Sequence, residues 1–229
     1  MSDLKERVEM VRERIRQAAE RAGRDPEEVR LMAVTKLKSS EQVAEAYEAG
    51  LRLFGENRVQ EAYDKYAEFH DDAELHIIGH LQTNKARKAV EIASCVQSVD
   101  KLKTAEELEK RCAAMDKMMD IYLEFNTSGE DSKSGYRSRE EMFADIEYIR
   151  SLKHLRIRGL MTIGPLTGDE SAIRGAFREL RGLFEEVLRR YPNLPLNELS
   201  MGMTSDFEIA VEEGSTMVRV GTALFGSRE

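Results

Sequence analysis

A closed (β/α)8 TIM-like barrel, one α/β domain over residues 1–229 with an extra helix at its N-terminus, is the fold this sequence predicts. Three observations predict it. Strand-like and helix-like segments alternate about eight times along the chain. The strand segments are β-branched and apolar on both faces, as strands of a parallel sheet covered by helices must be. No Pro-, Ser- or Gly-rich linker, internal repeat or low-complexity tract interrupts the alternation, and barrels of this kind run ~200–250 residues as one domain. An open, doubly wound sheet is the alternative that the same alternation allows.

The elements follow in order. Leu4, Val8, Val11, Ile15 and Ala18 are spaced alternately by four and three, which is one face of a helix. Ser2 can cap its start and Gly23 its end. This helix stands before the first strand, as an addition to the repeating pattern. "VRLMAVTK" then reads as a strand and "SSEQVAEAYEAG" as a capped helix stopped by Gly50; "LRLFGEN" and "RVQEAYDKYAEF" are the next pair. "ELHIIGH" with "TNKARKAVEIA", and "CVQSV" with "KTAEELEKRCAAM", repeat the pattern. "MMDIYLEFN" is a strand that leads through the polar loop "TSGEDSKSG" into the helix "SREEMFADIEYIRSL". "LRIRGLMTIGP" precedes a long helix over residues 170–190, which Tyr191-Pro192 ends. "ELSM" and "TMVRVGTALFG" supply the last two strands, with helical "DFEIAVEEG" between them.

Composition narrows the function. The chain carries 35 Lys and Arg against 43 Asp and Glu, a net charge of −8, which argues against a general nucleic-acid binder. "MSDLKERVEM" lacks the apolar core of a signal peptide, and no segment reaches the ~18 apolar residues of a membrane span. A cytoplasmic, monomeric protein is the expectation. Cys95 and Cys112 show no CxxC or zinc-type spacing and read as buried thiols in a reducing compartment. The four histidines are scattered, without an HExxH pair, so no metal site is expected.

In a parallel barrel the functional side chains sit at the C-terminal ends of the strands. Those ends are Lys36, Asn57, His80, Asn126, Thr162 and Ser200, and the last strand adds Arg219, Gly221 and Thr222. Each has a plainer explanation by itself: a solvated charge for Lys36, a core histidine for His80, a helix cap for Asn57, a carboxylate partner for Arg219. Their convergence on one end of one barrel favours a site. "SMGMTSDFEIAVEEGSTMVRVGTALFG" brings Ser200, Met201, Thr204, Ser205, Gly221 and Thr222 to the loops after strands seven and eight. Barrels bind phosphate there, because free backbone N–H groups and a helix dipole favour an anion. A phosphate site beside strand eight and a lysine on strand one, its neighbour in a closed barrel, together suggest pyridoxal 5′-phosphate (PLP). Its aldehyde would form a Schiff base with Lys36.

"AVTK", "FGENRVQEA", "HIIGHLQTNK" and "SMGMTSDFEIAVEEGSTMVRVGTALFG" together resemble the pyridoxal phosphate homeostasis proteins (the YggS/PROSC family) over nearly the whole chain. The resemblance implies a barrel similar to the N-terminal domain of alanine racemase, with PLP held on Lys36. It further implies that Arg219 lies near the pyridine nitrogen and that Ser200, Gly221 and Thr222 line the cofactor site. Thr204 stands where the family usually has Ser, and the hydroxyl is kept. The function implied is binding, buffering and delivery of PLP within the cell, to apoenzymes that require it, without an established catalytic activity. The chain stops at Glu229, directly after strand eight, leaving no residues for the second domain of the racemases.

Two other functions compete. A weak PLP-dependent amino-acid racemase would use Lys36 as one base and needs a second acid/base group on the opposite face of the substrate. Tyr136 and Lys133, in "GEDSKSGYR", are its candidates. A sugar-phosphate barrel enzyme without a cofactor would account for the phosphate loops but not for the lysine.

Overall fold

The computed structural model describes residues 3–66 and 69–226. Ser2, residues 67–68 of the expected third helix and residues 227–229 lie outside the described residues. Eight parallel strands, β1 (Arg30–Val34), β2 (Leu53–Glu56), β3 (Glu74–Ile77), β4 (Cys95–Val99), β5 (Met119–Glu124), β6 (Leu155–Met161), β7 (Glu198–Ser200) and β8 (Met217–Val220), pair in sequence order. β8 then pairs back onto β1, with Arg30 opposite Met217 and Met32 opposite Arg219. The barrel is closed, so the open-sheet alternative is ruled out.

The first helix, α1 (Asp3–Arg21), buries the predicted stripe of Leu4, Val8, Val11, Ile15 and Ala18. Val8, Val11 and Ile15 are each worth ~1.5–3 kcal/mol of apolar transfer when buried in this way. Gly23 follows it at φ 66°, and the Arg24 N–H closes on the Ala19 carbonyl. The connecting helices are α2 (Ser40–Glu48), α3 (Val59–Tyr66), α4 (Ala86–Ile92), α5 (Leu102–Ala114), α6 (Arg139–Ile149), α7 (Glu170–Arg190) and α8 (Phe207–Glu212). After β8 the described residues add the single turn α9 (Thr222–Phe225). α1 packs against α8, α9 and α2, which is the place a full helix after β8 would take. The extra helix expected before the first strand is present, and it packs beside α9.

The other difference lies at β8. "TMVRVGTALFG" reads as one strand, but pairing stops at Val220 and the Leu224 and Phe225 N–H groups bond back to the Gly221 carbonyl. A short apolar run fits a strand or a helical turn equally well by pattern. The bonds from Leu224 and Phe225 onto the Gly221 carbonyl make it a helical turn.

Successive side chains of β1 divide between two cores. Met32 and Val34 join Leu53, Ile78, Cys95, Tyr122, Met161 and Met217 inside the barrel, while Ala33 belongs to the outer core between sheet and helices. Continued two residues beyond Val34, the same period would turn Lys36 to the interior side of the mouth. At the opposite end, Arg30 bridges Glu74 at 2.7 Å and Glu198 at 3.1 Å and closes the barrel floor.

Candidate functional site

The mouth of the barrel is built from the residues that follow each strand. Lys36 is half-buried in a turn that the Lys38 N–H closes on the Thr35 carbonyl at 3.0 Å. Lys65, Lys133, Lys101 and Lys38, near this end, have partners. Lys65 bonds to the Thr35 carbonyl, Glu56 and Glu61, and Lys133 to Glu130 and the Gly164 carbonyl. Lys101 pairs with Asp100 at 3.8 Å, and Lys38 lies over the Phe225 ring. Among the described residues Lys36 has no hydrogen bond, ion pair or ring contact. Its amine is available.

Arg219 enters from β8, deeper than Lys36, and is buried. Its guanidinium donates to the Ser200 hydroxyl and to the Thr162 carbonyl, both at 2.6 Å. Ser200 in turn donates to Gln97 Oε1 at 2.7 Å, and the Gln97 amide reaches His76 Nδ1 at 2.8 Å. A hydroxyl has one proton, and that of Ser200 goes to Gln97. In this arrangement the Ser200 hydroxyl links Arg219 to Gln97. Burial pushes the guanidinium down to about 10, against the pull of Glu124 and Asp206, so it stays charged at neutral pH.

Glu124, at the end of β5, escaped the sequence reading. It is 3% exposed and its carboxylate makes no hydrogen bond among the described residues. Burial, reinforced by Asp100 and opposed by Arg219, pushes it up to about 7. An acidic residue in the alternating segment "DIYLEFN" falls on the inward face of β5, and that alternation was the one available signal.

The loops after β7 and β8 meet. The Ala223 N–H points at Thr204 Oγ1 at 3.4 Å. The N–H groups of Thr204, Ser205, Gly221 and Thr222 donate to no other backbone group of the described residues, so both loops present free donors. The Thr222 and Ser205 side chains are exposed. A Cβ on Gly221 would sit 3.3 Å from the Val34 carbonyl oxygen, so the turn lies tightly against β1. Gly202 is tighter: at φ 95°, its Cβ would stand 2.5 Å from the Ala210 Cβ. A half-buried amine, a buried guanidinium and a cradle of N–H groups and hydroxyls suit a ligand with an aldehyde, an aromatic nitrogen and a phosphate.

The other predicted residues are less central. Asn57 is half-buried, and its backbone leaves room only for a glycine at position 79. His80 is exposed at the rim, 3.6 Å from Asp100, and is not the core histidine of its plainer explanation. The Met201 side chain packs in the outer core, so it can serve the mouth only through its backbone. Asn126 organises its own loop, donating to the Glu130 and Lys133 carbonyls. Thr162 is buried and shares a hydrogen bond with Thr127. Tyr136 is 1% exposed and donates to Asp145 on α6 at 2.7 Å. Its hydroxyl is turned to α6. A groove of about 1010 Å³ lies at the opposite end, against α1 and the starts of β1 and β2. Its walls are paired charges such as Arg30–Glu74, and the chemistry of the mouth outweighs its volume.

Fold and mouth together define a barrel of the alanine racemase N-terminal type, and that family's model matches residues 7–229. The pyridoxal phosphate homeostasis protein of Pseudomonas aeruginosa is 46% identical over 230 residues, covering 100% of this chain and 97% of that protein. That of Escherichia coli is 39% identical, covering 100% and 98%. The chain belongs to the pyridoxal phosphate homeostasis protein family. The structure of PipY from Synechococcus elongatus with PLP bound matches with a TM-score of 0.85 and 37% identity, over 98% of this chain and 100% of that one. Alanine racemase from Clostridium difficile, 14% identical, shares the fold with a TM-score of 0.75, over 56% of its own chain.

Proposed function

We propose that this chain is a single-domain intracellular PLP carrier that holds the cofactor on Lys36 and releases it to apoenzymes, without a catalytic reaction of its own. The observation that carries this reading is the half-buried, unpartnered Lys36 just after β1, next to β8, whose loop joins that of β7 in the N–H cradle. PLP supplies an aldehyde that condenses with an amine, forming a C=N bond and releasing water, together with a phosphate of nearly two negative charges. The cradle of Thr204, Ser205, Gly221 and Thr222 binds that phosphate through backbone N–H groups and hydroxyls. Arg219 can only donate hydrogen bonds, so it would act as donor to the pyridine nitrogen and favour its unprotonated form. That makes the ring a poor sink for a carbanion, in keeping with carriage.

The racemase alternative needs an acid/base group opposite Lys36. Tyr136 is buried with its hydroxyl turned to α6, and the Lys133 ammonium is bound to Glu130 and Gly164. Among the described residues no helix is long and apolar enough to cross a membrane.

The test is an absorption spectrum of the PLP-loaded protein before and after borohydride, followed by peptide mass analysis. The expected result is a reducible band that becomes fixed as a phosphopyridoxyl adduct on Lys36 and is lost in Lys36→Ala. A normal band in that variant would sink the assignment.

A further inference from the structure

The turn that carries Lys36 is strained. Leu37 has φ 61°, a left-handed conformation that disfavours any residue with a branched or bulky side chain. Such a conformation persists only where its surroundings impose it. The Leu37 side chain is 61% exposed, so packing does not impose it. What grips the turn is α3, from the neighbouring β2–α3 unit. The Glu61 carboxylate accepts the Leu37 N–H. Lys65, one helical turn further on, gives one proton to the Thr35 carbonyl at 2.8 Å, one to Glu61 at 2.7 Å and one to Glu56 at 2.9 Å.

All three protons of the Lys65 ammonium are therefore used, and its side chain is only 9% exposed. Behind it, Thr35 Oγ1 bonds to Glu56 at 2.7 Å and to the Tyr66 hydroxyl at 2.7 Å. The backbone is thus held on both sides of Lys36, at Thr35 and at Leu37, while the Lys36 side chain is left unbonded. A surface turn of a solvated lysine needs no such clamp.

We propose that Glu61 and Lys65, backed by Glu56, are positioning residues that aim the Lys36 amine into the mouth and so set how fast the cofactor becomes covalently attached. This rests on the reading of Lys36 as the attachment point. Loosening the clamp leaves the phosphate cradle intact, because Thr204, Ser205, Gly221 and Thr222 lie on other elements. Attachment slows, and non-covalent retention does not change.

The experiment uses Glu61→Ala, Lys65→Met and the double variant Glu56→Gln/Lys65→Met, which avoids leaving a buried carboxylate unpaired. Three quantities are read: the rate of borohydride-trappable attachment of PLP, the Kd of pyridoxine 5′-phosphate, which has the phosphate but no aldehyde, and hydrogen exchange of the Leu37 amide in ligand-free protein. The attachment rate is expected to fall ~10–100-fold, as for a reacting group displaced by about an ångström. The pyridoxine 5′-phosphate Kd should stay within about twofold, because the cradle residues lie on other elements than the clamp and make no hydrogen bond to Glu61 or Lys65. Leu37 exchange should accelerate in Glu61→Ala, where the acceptor is lost. Because Glu61 is partly exposed, that variant keeps the fold even if a Lys65 variant does not. Attachment at Lys36 with an unchanged rate in folded Glu61→Ala would overturn the positioning role alone. Trapping of wild-type protein at a different lysine would overturn the attachment reading and this role with it.

Discussion

Replacing Glu124 by Gln should stabilise the ligand-free protein at alkaline pH and leave it nearly unchanged in acid. Burial raises this carboxyl from 4.5 to about 7, with Asp100 adding to the shift and Arg219 opposing it. The folded protein therefore holds a proton that the unfolded chain has released, at every pH between those two values. Stability falls as pH rises wherever the folded state binds more protons. The contribution of neutral Glu124 is intact below about pH 4.5 and is lost progressively up to about pH 7. Each pH unit across that interval is worth ~1.4 kcal/mol, so the penalty at pH 8 is ~3 kcal/mol. At 3% exposure little solvent screening reduces it. Gln has the shape of the protonated acid and cannot ionise, so the variant escapes the penalty. Arg219 loses an ionised neighbour in the exchange, but that attraction is already contained in the value of about 7. Urea unfolding of both proteins from pH 4 to pH 8 checks this, because the other titrating groups cancel in the difference. The curves should coincide near pH 4 and separate towards pH 8, with the variant the more stable. A variant no more stable at pH 8, or equally stabilised at both ends, would refute the buried, half-titrated carboxyl.

The remaining predictions concern the groups around it. Ser200→Ala leaves Arg219 and Gln97 each short of a buried partner and should cost ~2–3 kcal/mol in thermal unfolding; a loss below ~0.5 kcal/mol would mean that the hydroxyl is not the anchor of the guanidinium. Gly202→Ala puts a Cβ 2.5 Å from that of Ala210 at a positive φ, and should destabilise by more than ~1 kcal/mol in the same assay. Thr222→Ala should weaken retention of PLP by ~1.5–3 kcal/mol if it removes one charge-assisted hydrogen bond. Binding of pyridoxal, which lacks the phosphate, should be nearly unchanged; equal losses for both ligands would show that Thr222 supports the fold alone.

By itself the sequence determined which segments are strands, which side of each faces the core, and therefore which residues stand at the barrel mouth. Those are local properties. The alternation that buries Met32 and Val34 inside points Lys36 the same way when it is continued, and it sets Arg219 in line with Met217, whereas Thr222 lies in the helical turn α9 that the strand pattern of its segment did not foresee. The tertiary structure decided what depends on which elements become neighbours. Ser200 and Gln97 are 103 residues apart in sequence and share a hydrogen bond only because β4 and β7 face each other across a closed barrel. No local pattern marks that pairing. Closure likewise brought α1 round beside α9, turned Tyr136 onto α6 and left His80 at the rim. Glu124 became a raised carboxyl because the ends of β4, β5 and β8 converge around it. The clamp on Lys36 comes from the next βα unit, with Lys65 reaching back 30 residues to the Thr35 carbonyl. Apolar periodicity reports how an element meets the core. The partners of a buried polar group follow from ring closure, which sums contacts over the whole chain.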